Sequence, residues 1–340
     1  MYYDRTLSPS TASLIEKNGE LRWLYDFVKS HKDLDFLVGK NNKTEWISVY
    51  RGLSRILTIN PYKNEPNKIK ISAAEAYKDI AVKEGLNLYG KHDAKNTLKD
   101  ELTAILNKVS KEEKFDRYYN NKKEGYFQNI FSRNFGLSGS ASGNWAIIDK
   151  EVVIGYDDLD EKKREFGKIQ KKYKELQREI SSINANKFGA NLVGKPLGNE
   201  LDFLALDNRG YILLIEYKHG KNTSGIYLSP LQIGLYYDVF SEFLRRNRSA
   251  FEKTIYTMLY QKQKIGLVNA NWRPPKKIKG ILPVLVISEY NEKSVAMSNF
   301  NEVLDIVCKK NSDDNFLSYL QIYSFTERNH SLYSLMGNPW

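Results

Sequence analysis

The sequence predicts an α/β fold: a mixed central sheet flanked by helices, joined to an N-terminal α+β region and carrying a long helical insertion. Three observations carry this reading. Two apolar runs, residues 198–206 and 211–218, flank the turn Asp207-Asn208-Arg209-Gly210 and read as a buried hairpin. The helical stretch 229–246 follows directly. Beyond it come a strand at 278–290, a helix at 299–309 and a strand at 317–325, the alternation that completes an α/β sheet.

Residues 1–110 read as a substrate-recognition or regulatory region, separate from a second domain over 111–340. Apolar spacing gives a helix at 21–28, and short strands at 45–50 and 55–59 are broken by Gly52 and stopped at Pro61. Ser72 followed by Glu75 has the spacing of a capping box, so a helix is expected from there to about Gly85, and another from Ala94 to Ser110. Residues 111–134 form an aromatic-rich helix in which Glu124 and Gln128 stand one turn apart. Residues 138–143 are a Ser/Gly loop, and a strand is expected around Val152. The insertion, about residues 157–187, holds a helix at 159–186 whose apolar seam runs through Phe166, Ile169, Tyr173, Leu176, Ile180 and Ile183. Such a seam serves either a homodimer contact or packing on its own domain. Ser229 and Pro230 look like cap and first turn of the helix after the hairpin, and a further helix covers 251–263.

At 340 residues, 41% of them hydrophobic, the chain can bury a sizeable core. Its longest apolar run, residues 281–287, is far too short to span a bilayer, and its N-terminus has no apolar stretch of signal-peptide type. One cysteine, Cys308, excludes an internal disulfide, so a cytoplasmic protein without membrane partners is expected. The net charge is +11. Residues 245–279 hold ten Lys or Arg against one acid, a concentration that attracts polyphosphate backbones. Arg245, Arg246, Arg273, Lys276 and Lys277 are the candidate contacts. Trp272, within that basic loop, either stacks on a base or fills the core.

The hairpin carries the chemistry. Asp202 lies on its first strand, and Glu216 and Lys218 end the second on one face, with Tyr217 opposite. Folding back at the turn brings Asp202 to within about one residue of opposite Glu216. Two acids and an ammonium on a buried sheet are costly unless they pair or hold a metal. Glu112-x-Lys114 and Glu161-x-Lys163 share the spacing but sit in charged, helix-like stretches. His219, beside the motif, reads as a surface residue.

This arrangement resembles the PD-(D/E)xK (restriction-endonuclease-like) nuclease superfamily, whose signature is an acid on one strand and Glu-x-Lys on the next. Gln232 and Tyr236 resemble the Gln-x-x-x-Tyr helix motif of its RecB-like branch. Leu201 stands where the signature has proline. The resemblance implies a restriction-endonuclease-like core and a DNA endonuclease using magnesium, or manganese in its place, held by Asp202 and Glu216. Lys218 would be the catalytic amine, Gln232 its helper, Tyr236 a contact to the DNA backbone, and Glu124 an additional acid. It also implies a role in defence against foreign DNA, with a partner protein conceivable. The rival readings are a repair or recombination exonuclease and a catalytically inactive DNA-binding protein on the same fold.

Overall fold

The computed structural model describes residues 1–95, 98–112, 115, 119, 124–136, 144–183, 185–189, 195–198, 200–310, 319–326, 328 and 331–336. It is a mixed α/β structure with two sheets, and the chain divides into two compact units. The N-terminal unit takes Asp4–Ile148 and Lys253–Trp272. The C-terminal unit takes Met1–Tyr3, Asp149–Glu252 and Arg273–Trp340.

In the N-terminal unit, five strands form an antiparallel meander in chain order: β1 Asp35–Lys40, β2 Glu45–Arg51, β3 Ser54–Tyr62, β4 Glu65–Ala73 and β5 Lys91–Asp93. One face is apolar at every second position, through Phe36, Val38, Ile47, Val49, Leu57, Ile59, Ile69 and Ile71. Helices α1 (Pro9–Ile15), α2 (Arg22–Ser30), α3 (Lys78–Lys83) and α4 (Lys99–Lys111) supply Leu24, Tyr25, Val28, Leu102, Ile105 and Val109 to the same core. Helix α5 (Glu124–Asn134) closes it with a buried arginine. The Arg133 guanidinium donates to the carbonyls of Val28 (3.2 Å), Lys29 (2.8 Å) and Leu34 (2.6 Å), satisfying the end of α2 and the loop after it.

Several expectations are corrected here. The helix expected from Ser72 to about Gly85 starts later: residues 65–73 are β4, where alternating Ile69, Ile71 and Ala73 bury one face, and a 3-10 turn at Glu75–Tyr77 leads into α3 at Lys78–Lys83. Strands β1 and β5 were not expected. β3 runs through Pro61 to Tyr62, with a register shift there that accommodates the missing N–H. The expected helix 111–134 is described as a helix only over Glu124–Asn134, and the loop 138–143 lies outside the described residues.

The second sheet has six strands: β6 Trp145–Val152, β7 Leu201–Asp207, β8 Tyr211–His219, β9 Gly280–Ser288, β10 Gln321–Phe325 and β11 Leu332–Met336, side by side in chain order. β7 and β8 are antiparallel, β8–β9 and β9–β10 parallel, and β10–β11 antiparallel, so the sheet is mixed. The crossovers are α7 (Thr223–Ile265) and α8 (Val295–Lys310), as parallel neighbours require. Helix α6 (Leu159–Ile183) precedes β7. Its seam is buried at Tyr173, Leu176 and Ile180 and exposed at Ile183, with the Tyr173 hydroxyl donating to Asp238 (3.1 Å) and its ring against Gly234 of α7. These three residues of the seam pack within their own unit.

Helix α7 begins six residues before the expected cap. Asn222 takes that place, its carbonyl bonding the Ile226 N–H (2.9 Å) and its side chain the Gly225 N–H (3.1 Å). Pro230 therefore lies inside the helix and cannot donate to the Ile226 carbonyl four residues back. The Ser229 hydroxyl donates to that carbonyl instead, at 2.6 Å. The helix is broken only at Asn247, where φ is −128°.

Candidate active site

The hairpin strands are buried on both faces: residues 203–206 and 212–215 are at most 1% exposed. Their register pairs Phe203 with Ile215 and Leu204 with Leu214, and carried one residue beyond the paired stretch it would bring Asp202 opposite Glu216. Directly opposed side chains in an antiparallel pair start about 5 Å apart at Cβ. Asp202 Oδ2 accepts the Tyr217 N–H at 2.7 Å, which fixes the carboxylate across the strand. Lys218 Nζ donates to Glu216 Oε1 at 2.6 Å, and both residues are buried, at 6% and 2% exposure. Asp202, Glu216 and Lys218 thus bring two carboxyl groups and an amine together in a setting where charge is expensive.

The first turns of α7 lie against this end of the hairpin. Gly198 is in the left-handed region at φ +86°, and a Cβ there would collide with the Tyr236 hydroxyl and stand 3.4 Å from Gln232 Nε2. The Tyr236 hydroxyl donates to the Glu200 carbonyl at 2.7 Å. Burial, reinforced by the carboxylates of Glu216 and Asp202, holds this phenol far above its ordinary pKa, so it remains a donor. Gln232 Oε1 is buried and has no hydrogen-bond partner among the described residues. A buried acceptor in this state calls for a donor beyond the described residues, such as a water.

The sequence candidates divide. Asp202, Glu216, Lys218, Gln232 and Tyr236 share one end of the C-terminal unit. Tyr236 is only 4% exposed and its hydroxyl is spent on Glu200, so it braces the approach to β7. Glu124 opens α5 in the N-terminal unit, with Gln128 Nε2 3.5 Å from its Oε1, whereas Asp202, Glu216 and Lys218 belong to the C-terminal unit. Arg245 is bound to Glu242 (2.7 Å), and Arg246 to Glu165 (2.8 Å) and Glu242. Arg273, Lys276 and Lys277 are exposed and make no ion pair among the described residues. Trp272 is 7% exposed, which matches the core-filling role rather than an open stacking face.

His219 corrects the surface reading. It ends β8 at 4% exposure, paired in register with Ser288, on the Tyr217 face, and its Nδ1 accepts from the Lys221 N–H at 3.2 Å. The signal that could have found it is its place in a strand flanked by two others.

The chain matches no protein-family model, no curated protein and no solved structure. The site therefore stands on its own geometry. Among the described residues, no group of three or more His, Cys, Asp and Glu side chains is arranged to hold a metal ion. A hard cation such as magnesium does not need one: it is commonly held by one or two carboxylates, with waters and substrate phosphate completing its shell. Two carboxyl groups on neighbouring strands, with a buried acceptor suited to water on the adjoining helix, fit that requirement.

Proposed function

We propose that the C-terminal unit hydrolyses phosphodiester bonds of DNA, as an endonuclease of the PD-(D/E)xK type. The observation that carries this is the pair Asp202–Glu216, opposed on a buried hairpin, with Lys218 on the same face. Asp202 and Glu216 would hold magnesium, which when bound neutralises phosphate charge and lowers the pKa of a water. Glu216 orients Lys218 through their 2.6 Å contact, keeping the ammonium where negative charge grows on the phosphorus oxygens. Gln232 Oε1 accepts from the attacking water and so orients it.

The supporting fold features are the parallel β8–α7–β9 unit behind the hairpin and the one-turn spacing of Gln232 and Tyr236. The test is cleavage of supercoiled plasmid with magnesium by wild type, Asp202→Asn and Lys218→Arg. Asn keeps an oxygen for the Tyr217 N–H, and Arg keeps a cation for Glu216, so both variants preserve the fold. Nicking by wild type, with a loss of about 100-fold or more in each variant, is expected. Cleavage of linear but not circular DNA would mean an exonuclease. Undiminished activity in both variants would remove the site assignment.

A further inference from the structure

The outer face of the N-terminal sheet pairs aromatic rings with cations in a way its core does not require. Lys70 and Lys91 stand directly opposite each other on β4 and β5, a like-charge pair that weakens the sheet. Lys70 Nζ lies 5.6 Å from the Tyr89 ring centroid and Lys78 Nζ 5.9 Å from it. Lys91 Nζ lies 5.4 Å from the ring of Tyr62. Further along the same face, the Arg5 guanidinium covers Trp46 at 4.9 Å.

Tyr89 is the unusual member. It is 49% exposed and sits at φ +65°, a conformation that disfavours a bulky side chain. Its N–H is tied to the Ile71 carbonyl at 2.8 Å, so the ring is presented from a fixed backbone. Charged residues on a three-residue edge strand also discourage edge-to-edge pairing of sheets. That accounts for Lys91 but not for an exposed tyrosine held between two lysines.

We propose that this face binds single-stranded nucleic acid. Open bases would stack on Tyr89 and Tyr62, and the displaced ammonium groups of Lys70, Lys78 and Lys91 would turn to the phosphates. Lys78 and Lys91 are bound to Glu75 and Glu65 in the free protein, but exposed pairs of this kind are weak and yield readily to a polyanion. A duplex, whose bases are already stacked, offers the rings nothing. Phosphodiester hydrolysis in the C-terminal unit is not needed for this proposal, which is read by binding alone.

The experiment uses the full chain in excess chelator and follows the anisotropy of a labelled oligothymidine. Tyr89→Asn removes the ring while tolerating the left-handed backbone, and Lys70→Gln removes a cation that has no acidic partner among the described residues. Tyr89→Asn should weaken binding about tenfold, and Lys70→Gln should lower the log–log salt slope by about 0.7. Duplex of the same sequence should compete poorly. No binding by wild type, or unchanged binding by Tyr89→Asn, would overturn the proposal. So would displacement by polyglutamate of an oligonucleotide bound equally by Tyr89→Asn, which would assign the face to an acidic polypeptide.

Discussion

Lys218 and Glu216 illustrate how a side chain proposed for catalysis becomes bound up with stability. Their contact at 2.6 Å is almost fully enclosed, so truncating one partner strands the other's charge inside the sheet. Lys218→Ala should therefore unfold more easily by about 3 kcal/mol, in addition to losing activity, whereas Lys218→Arg should keep most of that stability. Urea denaturation separates the two, and equal midpoints for both variants would show that the pair contributes nothing. Gly198 is constrained differently. A methyl group there collides with the Tyr236 hydroxyl and occupies a left-handed backbone, so Gly198→Ala should cost about 2 kcal/mol. Tyr236→Phe in the same background should recover part of the loss by removing the struck oxygen. The residues of the constellation were legible in the sequence because strand alternation fixes which side chains share a face. The target of the Tyr236 hydroxyl was not, since no local pattern specifies a carbonyl 36 residues away.

Among elements, α7 shows why a cap signal can mislead. Ser-Pro usually announces a helix, but here the helix has already run about two turns from its Asn222 cap, and the serine repairs the hydrogen bond that the proline removes. Ser229→Ala should leave the Ile226 carbonyl buried without a donor and cost about 1–3 kcal/mol, measurable as a lower urea midpoint. An unchanged midpoint would mean that the helix tolerates the proline unaided. A similar competition hid β4, where the Ser72–Glu75 spacing of a capping box overlies the period-two pattern of Ile69, Ile71 and Ala73. The tertiary burial of one sheet face decides between such signals, and it is not encoded within a few residues. The hairpin was legible because its apolar runs are long and its turn is distinct, whereas β1 and the short β5 carry neither mark.

At the scale of the molecule, charge has been sorted into paired and open sets. The count of ten basic residues between 245 and 279 overstated what a polyanion would meet, because Arg245 and Arg246 are already bound to Glu242 and Glu165. Arg273, Lys276 and Lys277 remain open, and replacing all three by Gln should reduce the salt slope of duplex DNA binding by about 2–3. An unaltered slope would place the DNA elsewhere. The same pairing has a pH signature. Hydrogen bonding to Arg245 is the largest influence on Glu242 and, with Arg246, lowers its carboxyl from 4.5 to about 2. A depressed carboxyl stabilises the fold above its unfolded value and loses that contribution as pH falls through the folded one. Stability should thus decline between about pH 4.5 and 2, and Glu242→Gln should flatten that part of the curve; solvent exposure keeps the effect small. Among the described residues no helix is long and apolar enough to cross a membrane.

Because β7 and β8 are apolar on both sides, a slip of one residue between them would bury much the same surface, so hydrophobicity offers little resistance to it. Alignment falls instead to the turn. Asp207 accepts the N–H groups of Arg209 (3.0 Å) and Tyr211 (2.7 Å), its carboxylate is paired with Arg209, and Gly210 supplies φ +101°. A single aspartate, five residues along the strand from Asp202, thereby acts as the gauge stop that decides which side chain meets Glu216. Loosening it would leave a well-formed sheet whose two acids no longer coincide.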